Sequence, residues 1–314
     1  MAMDSPYVSV IIPNYNHSRY LDQRIQSVLT QTYNNFELII LDDNSTDNSV
    51  DVINKYRNNP RITNIVINEN NSGSTFIQWN KGFQLAKGEI IWIAESDDFC
   101  EPDFLERLID AYNEHPDSVV VYSGSQYVDS EGNYLYTDND NGPAIHYFEG
   151  KEFIERKLAY GCAIWNASSA VFSKNVANSL NQQYQKYKAC GDRLFWIEMA
   201  ERGNVVYVNK KLNYFRQHLN KVSPKRFIDG TSLKEEYKIN KYLCSHRYLS
   251  GMRRVFVLSL YYKKIQEGDF LNLGIKKELL ELWGFTNRLR IVMINVISRL
   301  YIYYSLYILR QKPL

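Results

Sequence analysis

The chain has 314 residues, 45% of them hydrophobic, enough to build a real core in one large domain or two modest ones and inconsistent with a disordered chain. Its four cysteines (Cys100, Cys162, Cys190 and Cys244) lie far apart with no C-x-x-C pair, which argues against a disulfide framework or structural zinc site and fits a reducing cytosol. The net charge of +2 hides an asymmetry: residues 1–224 carry 20 Lys and Arg against 28 Asp and Glu, and residues 225–314 carry 17 against 7. The basic end suits an anionic surface; with no groove-reading motif beside it, the charge argues against a nucleic-acid partner.

In chain order, Val8–Ile12 is the first of four short apolar or β-branched runs. Glu37–Leu41, Ile62–Ile67 and Glu89–Ala94 follow, with starts 25 to 29 residues apart. Near-continuous apolar runs of this length predict strands buried on both faces. Between them the period changes. Leu21, Ile25, Val28 and Leu29 fall at i, i+4, i+7 and i+8; Phe76, Trp79, Phe83 and Ala86 share one helical face; Leu105, Leu108, Ile109 and Tyr112 repeat the pattern after the fourth run. Strand and helix alternating at this pitch predict an α/β fold, an open, mostly parallel twisted sheet with right-handed crossovers and helices on both faces. The first few residues are short and polar and show no signal-peptide pattern, so a cytoplasmic chain is expected.

Ligands of open parallel sheets bind outside the carboxyl ends of the strands, where the strand order reverses. Polar residues gather there: PNYN (Pro13–Asn16) after the first run, DDNSTD (Asp42–Asp47) after the second, ESDD (Glu95–Asp98) after the fourth. Part of this has an ordinary explanation. Asp47 near a helix start favours the helix dipole, and Asp98 can cap the helix beginning near Pro102. Three carboxylates among Glu95–Asp98 exceed what capping needs. No G-x-G-x-x-G follows the first run and no G-x-x-x-x-G-K-[ST] occurs, so a nucleotide bound here needs its diphosphate charge neutralised by other means. Clustered carboxylates hold Mg²⁺ or Mn²⁺, ions that also coordinate phosphate oxygens and stabilise a departing diphosphate.

VSVIIPNYNHSRYLDQRIQSVLTQTYNNFELIILDDNSTDNS and NSGSTFIQWNKGFQLAKGEIIWIAESDDFCEPDFL, followed by ACGDRLFWIEMAERG and LNYFRQH, together resemble the family-2 glycosyltransferases of the GT-A fold over roughly residues 7–220. The resemblance implies that Tyr15 packs against the nucleotide base with Pro13 beside it, and that Asp43 accepts a hydrogen bond from the base, most often uracil N3–H. Glu95, Ser96 and Asp97 fall on the D-x-D positions, so Asp97 would ligate the metal and Glu95 would lie near the ribose. Asp192 matches the general base. Two positions depart from the family: Glu95 stands where Asp is usual, and Gly191 precedes the base where an acid is common. His218 lies where some relatives place a metal ligand, although a lone histidine is more often structural.

The function so implied is inverting, metal-assisted transfer of a sugar from a nucleotide donor, UDP-linked, to an acceptor hydroxyl on a saccharide or lipid-linked acceptor, as in polysaccharide or glycoconjugate synthesis. Residues 1–224 would form the GT-A catalytic domain, with 1–105 as its nucleotide-sugar half and 106–224 as its acceptor half. Within the acceptor half, YGCAIWNASSAVF (Tyr160–Phe172) offers Trp165 and Asn166 to an acceptor pocket, and the segment fits a core strand equally well. Two rivals stand beside this function. A nucleotidyltransferase would bring a basic glycine-rich loop where PNYNHSRY stands; a non-catalytic nucleotide-sugar-binding relative has no need of both Asp97 and Asp192.

Residues 225–314 read as a basic helical extension rich in Tyr, Leu and Lys. Ile291 to Leu309 is mostly apolar, but Arg288, Asn295, Arg299 and Arg310 fall on one narrow face, and an arginine mid-span argues against a transmembrane helix. Tyr301, Tyr303, Tyr304 and Tyr307 suit a half-wet interface, and from Arg288 onward there are five basic residues and no acids. Peripheral contact of 288–312 with the cytoplasmic face of an anionic membrane is one expectation; packing on the catalytic domain or homodimer formation is the other.

Overall fold

The computed structural model describes residues 6–137, 142–218 and 222–303. They divide into two compact units, one of Met1–Gly150, Ile164–Gln185 and Glu198–Leu219, the other of Lys151–Ala163, Lys186–Ile197 and Asn220–Leu314.

The first unit is built on a ten-stranded sheet. Its amino-terminal half is the expected parallel array of β1 (Val8–Asn14), β2 (Phe36–Asp42), β3 (Ile62–Ile67) and β4 (Ile90–Ile93), in the order β3-β2-β1-β4. Helices α1 (Ser18–Leu29), α2 (Ser49–Asn54) and α3 (Thr75–Leu85) make the crossovers. β1, β2 and β4 are buried at every position, as continuous apolar runs require. β3 differs from the sequence expectation. It is the edge strand of this half, so its residues are only partly covered and Ile67 is 40% exposed. α3 lies so close to β1 that a Cβ on Gly82 would meet Ile11 Cγ2 at 2.6 Å.

The other half is mixed. β5 (Phe99–Cys100) and helix α4 (Phe104–Glu114) follow β4, and β6 (Ser118–Val128) runs parallel to the long β10 (Asn204–Arg216). β9 (Ala170–Ser173) is inserted antiparallel between β4 and β6 and joins the two halves. β5, β7 (Tyr134–Thr137) and β8 (Ile145–Phe148) pair antiparallel at the margins. The whole is a GT-A-like α/β sheet whose strand order reverses beside β1, putting the carboxyl ends of β1, β2 and β4 around one crevice. One buried acid lies elsewhere: Glu37, near the start of β2, accepts hydrogen bonds from Ser9 Oγ (2.7 Å), Thr63 Oγ1 (2.6 Å) and the Lys87 amide (2.6 Å), which hold its carboxyl below the usual range despite burial.

Three further short or intermediate helices are α5 (Gly150–Phe153), α6 (Lys174–Asn178) and α7 (Gly191–Ala200). The second unit carries α8 (Val222–Ile228), α9 (Thr231–Ser245), α10 (Gly251–Glu267), α11 (Leu273–Leu282) and α12 (Arg288–Tyr303). Its core sets Tyr261 against Trp283 with ring centroids 4.3 Å apart, and Leu233, Ile239, Val257 and Leu279 are also buried in this unit. Among the described residues no helix is long and apolar enough to cross a membrane. Tyr304, Tyr307 and Arg310, named above for the amphipathic segment, lie outside the described residues.

Candidate functional site

The β1–α1 turn begins the crevice. Asn14 at the end of β1 donates to Asp42 Oδ2 (2.7 Å) and Ser45 Oγ (3.2 Å), which ties the β1 and β2 loops together. Pro13 is buried within β1, while Tyr15 leaves the strand 46% exposed. Asn16 then takes a left-handed conformation (φ 56°), its amide donating to Ser45 Oγ (2.9 Å) and its side-chain oxygen accepting from the Thr46 amide (2.8 Å). That reversal delivers His17 at the start of α1.

The acids after β2 have separate tasks. Asp42 accepts from Asn14 and Ser45, a tie within the loop. Asp47 accepts from the amides of Ser18 (2.9 Å) and Ser49 (3.0 Å), so it caps the starts of both α1 and α2, the helix-start role its sequence position suggested. Asp43 is buried and accepts from Asn68 Nδ2 (2.6 Å), Ser72 N and Oγ (2.9 and 2.8 Å) and Gln78 Nε2 (2.9 Å), fixing the 68–78 segment against the end of β2.

After β4 the three carboxylates part company. Glu95 accepts from the Trp79 indole (2.8 Å), and its amide donates to Ser168 Oγ (3.0 Å). Burial, with the neighbouring charge of Asp97, pushes its carboxyl up to about 8 against the pull of that indole. Asp98 is buried and structural, though not as a helix cap: Oδ2 accepts from Asn166 Nδ2 (2.6 Å) and Ser168 Oγ (2.8 Å), and Oδ1 from the Arg216 amide (3.0 Å). Asp97 turns the other way, its Oδ2 lying 3.0 Å from His218 Nε2. Arg216 holds the backbone beneath it, Nε donating to the Asp97 carbonyl (2.8 Å) while the guanidinium lies over Tyr20.

His17, Asp97 and His218 each bring one ligand atom, and the three lie within 4.8 Å of one another. Ser96 Oγ engages His17 Nδ1 at 2.8 Å. Two imidazoles and a carboxylate are a donor set that fits a divalent first-row ion, with Asp97 in the place the D-x-D pattern assigned. Sequence reasoning raised His218 and missed His17; the only signal for the latter was a histidine three residues past the end of β1. It missed as well the roles of Trp79, Ser168 and Arg216 in holding the acidic loop. Asn166 does not line an acceptor pocket: it is buried, bonded to Asp98 and capping the Ser168 amide (2.7 Å). Its neighbour Trp165 is 63% exposed.

In the second unit Asp192 sits in the first turn of α7. Oδ1 accepts from the Arg193 amide (2.8 Å), and Cys162 Sγ lies 3.7 Å from Oδ2. Burial pushes its carboxyl up to about 6, with the charge of Glu236 adding to the effect. The preceding loop is held by α9: Glu235 accepts from the amides of Lys188 (2.7 Å), Ala189 (2.9 Å) and Cys190 (2.9 Å). Glu236 pairs with buried Arg193, whose guanidinium also donates to Leu158 O (2.9 Å) and Tyr261 Oη (3.0 Å).

The sequence model of the family described as "Glycosyl transferase family 2" matches residues 9–177, more than half of the chain. Glycosyltransferase GlyG of Streptococcus pneumoniae is 33% identical over 155 residues, 49% of this chain and 48% of that protein. Chondroitin synthase of Escherichia coli is 28% identical over 211 residues, 65% of this chain and 28% of that protein. The chain thus spans about half or less of these relatives. Among solved structures, S. aureus TarS 1-349 in complex with UDP-GlcNAc has a TM-score of 0.59 at 18% identity, covering 96% of this chain and 76% of that one; this is a likeness of fold.

Proposed function

Because this chain belongs to glycosyl transferase family 2, we propose that it transfers a sugar from a UDP-linked donor to an acceptor hydroxyl, with inversion at the anomeric carbon. The observation that carries the reading is the convergence of Asp97, His17 and His218 at the strand ends that also carry Tyr15 and Asp43. Asp97 and His218 would hold Mn²⁺ or Mg²⁺, which when bound supplies Lewis-acid stabilisation of the leaving diphosphate. Tyr15 offers an exposed ring to the base, Pro13 shapes the strand end beneath it, and Asp43 with the segment it fixes forms the polar edge of the base site. Glu95 and Ser96 border the metal and ribose positions. Asp192 takes the acceptor proton and must lie within about 3 Å of that hydroxyl when it does so. TarS, bound to UDP-GlcNAc, supports a UDP-linked donor; the relative named chondroitin synthase supports a polysaccharide acceptor.

Calorimetric titration of UDP, GDP and dTDP, each with and without Mn²⁺, tests the reading. UDP is expected to bind in a Mn²⁺-dependent manner; no binding of any nucleotide in either condition would overturn it. Tyr15→Ala is expected to weaken UDP by roughly 5- to 150-fold, the equivalent of a base–aromatic stack of about 1–3 kcal/mol. Because the ring is largely exposed, the melting temperature should not change, and Tyr15→Phe should bind as the parent does.

The exposed face of α12 has a separate reading. Ile294 and Ser298 are buried, and Ser298 Oγ meets Ser259 Oγ of α10 at 2.7 Å, while Leu289, Val292, Met293, Val296, Leu300 and Tyr303 form an outward apolar stripe. Beside it, a cleft of about 600 Å³ between α10 and α12 is lined by Leu258, Met293 and Ile297, with Arg254 and Arg290 among its walls. An apolar stripe flanked by arginines, in a segment without acids, matches an anionic bilayer on the cytoplasmic side. The full chain is expected to sediment with phosphatidylcholine vesicles containing phosphatidylglycerol and not with phosphatidylcholine alone. A Val296→Glu, Leu300→Glu variant should remain in solution. If the parent instead dimerises without lipid and this variant does not, a second copy covers the stripe and the membrane contact is wrong.

A further inference from the structure

We propose that His17 is a third protein ligand of the cation held at Asp97, and that the resulting two-imidazole, one-carboxylate set makes the site select Mn²⁺ and Co²⁺ over Mg²⁺ and Ca²⁺. The inference rests on the donor-site reading above and goes beyond it in naming the ligand and the ion class.

His17 occupies the N-cap position of α1, where its carbonyl accepts from the amides of Tyr20 (2.9 Å) and Leu21 (3.0 Å). Ser, Thr, Asp or Asn ordinarily stands there, because a short oxygen-bearing side chain reaches the free amides of the first turn. The His17 side chain makes no capping hydrogen bond. It turns instead across the sheet to Ser96, 79 residues away in sequence, through Nδ1. The hydrogen bond at Nδ1 fixes the ring; in the tautomer in which Nδ1 donates to Ser96 Oγ the lone pair stands on Nε2, the arrangement by which outer partners prepare a histidine for a metal.

The ring is also packed from two sides. Its centroid lies 5.6 Å from that of His218 at an interplanar angle of 87°, and Tyr20 packs against both histidines at 6.2 and 5.2 Å. Ser96 is buried and Asn16 is held in its positive-φ turn by the β2 loop, so both ends of the His17 approach are rigid. The two nitrogens decide the choice of ion. Mg²⁺ and Ca²⁺ take oxygen ligands, whereas imidazole suits first-row transition ions, whose affinities also rise along the series from Mn²⁺ to Co²⁺.

The test uses the full chain with UDP present and reads the metal rather than turnover. Co²⁺ is titrated by its visible absorption, and Mn²⁺ and Mg²⁺ by calorimetry. His17→Asn keeps a favourable N-cap, so the variant is built to fold, and a matching melting temperature verifies that it has. The parent is expected to bind Mn²⁺ at least about tenfold more tightly than Mg²⁺. In His17→Asn that ratio should collapse, with Mn²⁺ weakened by roughly 10- to 100-fold, Mg²⁺ little changed and the Co²⁺ spectrum altered. An unchanged ratio and Co²⁺ spectrum in His17→Asn would overturn the proposal while leaving the donor site intact, provided Asp97→Ala abolishes binding of the ion. Retained binding in Asp97→Ala would overturn the donor-site reading itself.

Discussion

Asp192→Asn is expected to lower kcat by about 10²–10⁴-fold while Mn²⁺-dependent UDP binding stays at the parent level. The asymmetry follows from the role proposed for Asp192. A general base acts on the acceptor proton in the transition state and contributes nothing to holding the donor, so its loss falls on kcat. The residue is suited to this work, since burial raises its carboxyl from 3.8 to about 6, still ionised at neutral pH but a stronger base than a solvated aspartate. The working form is the ionised one. The limb of the activity profile set by Asp192 should therefore fall as pH drops through about 6, and that limb should vanish in the variant. The stability consequence has the opposite sign. A carboxyl whose folded pKa lies above its unfolded value favours the folded state less as pH rises from 3.8 to about 6, so removing the charge should not lower the melting temperature at neutral pH. A variant that loses activity by unfolding would show itself in that measurement.

The parallel half of the sheet was legible because burial on both faces leaves an unbroken apolar run, and such runs mark β1, β2 and β4 almost residue for residue. β3 was visible as a strand and misjudged in burial, since whether a strand is central or at an edge depends on its neighbours and not on its own composition. The mixed half was far less legible. β6 gains its place from β10 and from β9, partners far along the chain, and its Ser-Gly-Ser-Gln interior interrupts the apolar pattern.

The site divides in the same way. Motifs confined to one loop, such as Glu95–Asp98, stand out because like charges crowd together there. Their division of labour does not, since Trp79 holds Glu95 from α3, Asn166 and Ser168 hold Asp98 from the segment before β9, and His218 meets Asp97 across 121 residues. His17 was invisible for a related reason. A histidine in PNYNHSRY reads as an ordinary loop residue until the left-handed turn at Asn16 aims it towards Ser96. Asp192 is named by resemblance, while the support it receives from Glu235 and Glu236 on α9 could not be read from an acidic pair in a helical stretch.

Neighbouring Asp97 and Asp98 look alike in sequence, and replacing each with alanine is expected to have opposite consequences. Asp97→Ala should leave the melting temperature within a few degrees of the parent, because the Arg216 contact beneath it is made by the backbone carbonyl and survives the substitution. It should reduce UDP affinity in Mn²⁺ to the metal-free level and lower kcat by roughly 10²-fold or more, the scale of losing several kcal/mol of charge stabilisation on the leaving diphosphate. Asp98→Ala strands three buried donors, Asn166 Nδ2, Ser168 Oγ and the Arg216 amide, each costing about 1–3 kcal/mol when left without an acceptor. That is comparable to the whole stability of many domains, so this variant should be recovered unfolded or with a much lowered melting temperature. Thermal unfolding and Mn²⁺–UDP calorimetry on the two purified variants separate the roles. Metal-dependent binding retained in a folded Asp97→Ala would take the cation away from the His17–Asp97–His218 cluster, and a fully stable Asp98→Ala would mean that the acidic loop is held by its remaining contacts to Arg216, Trp79, Ser168 and Arg24.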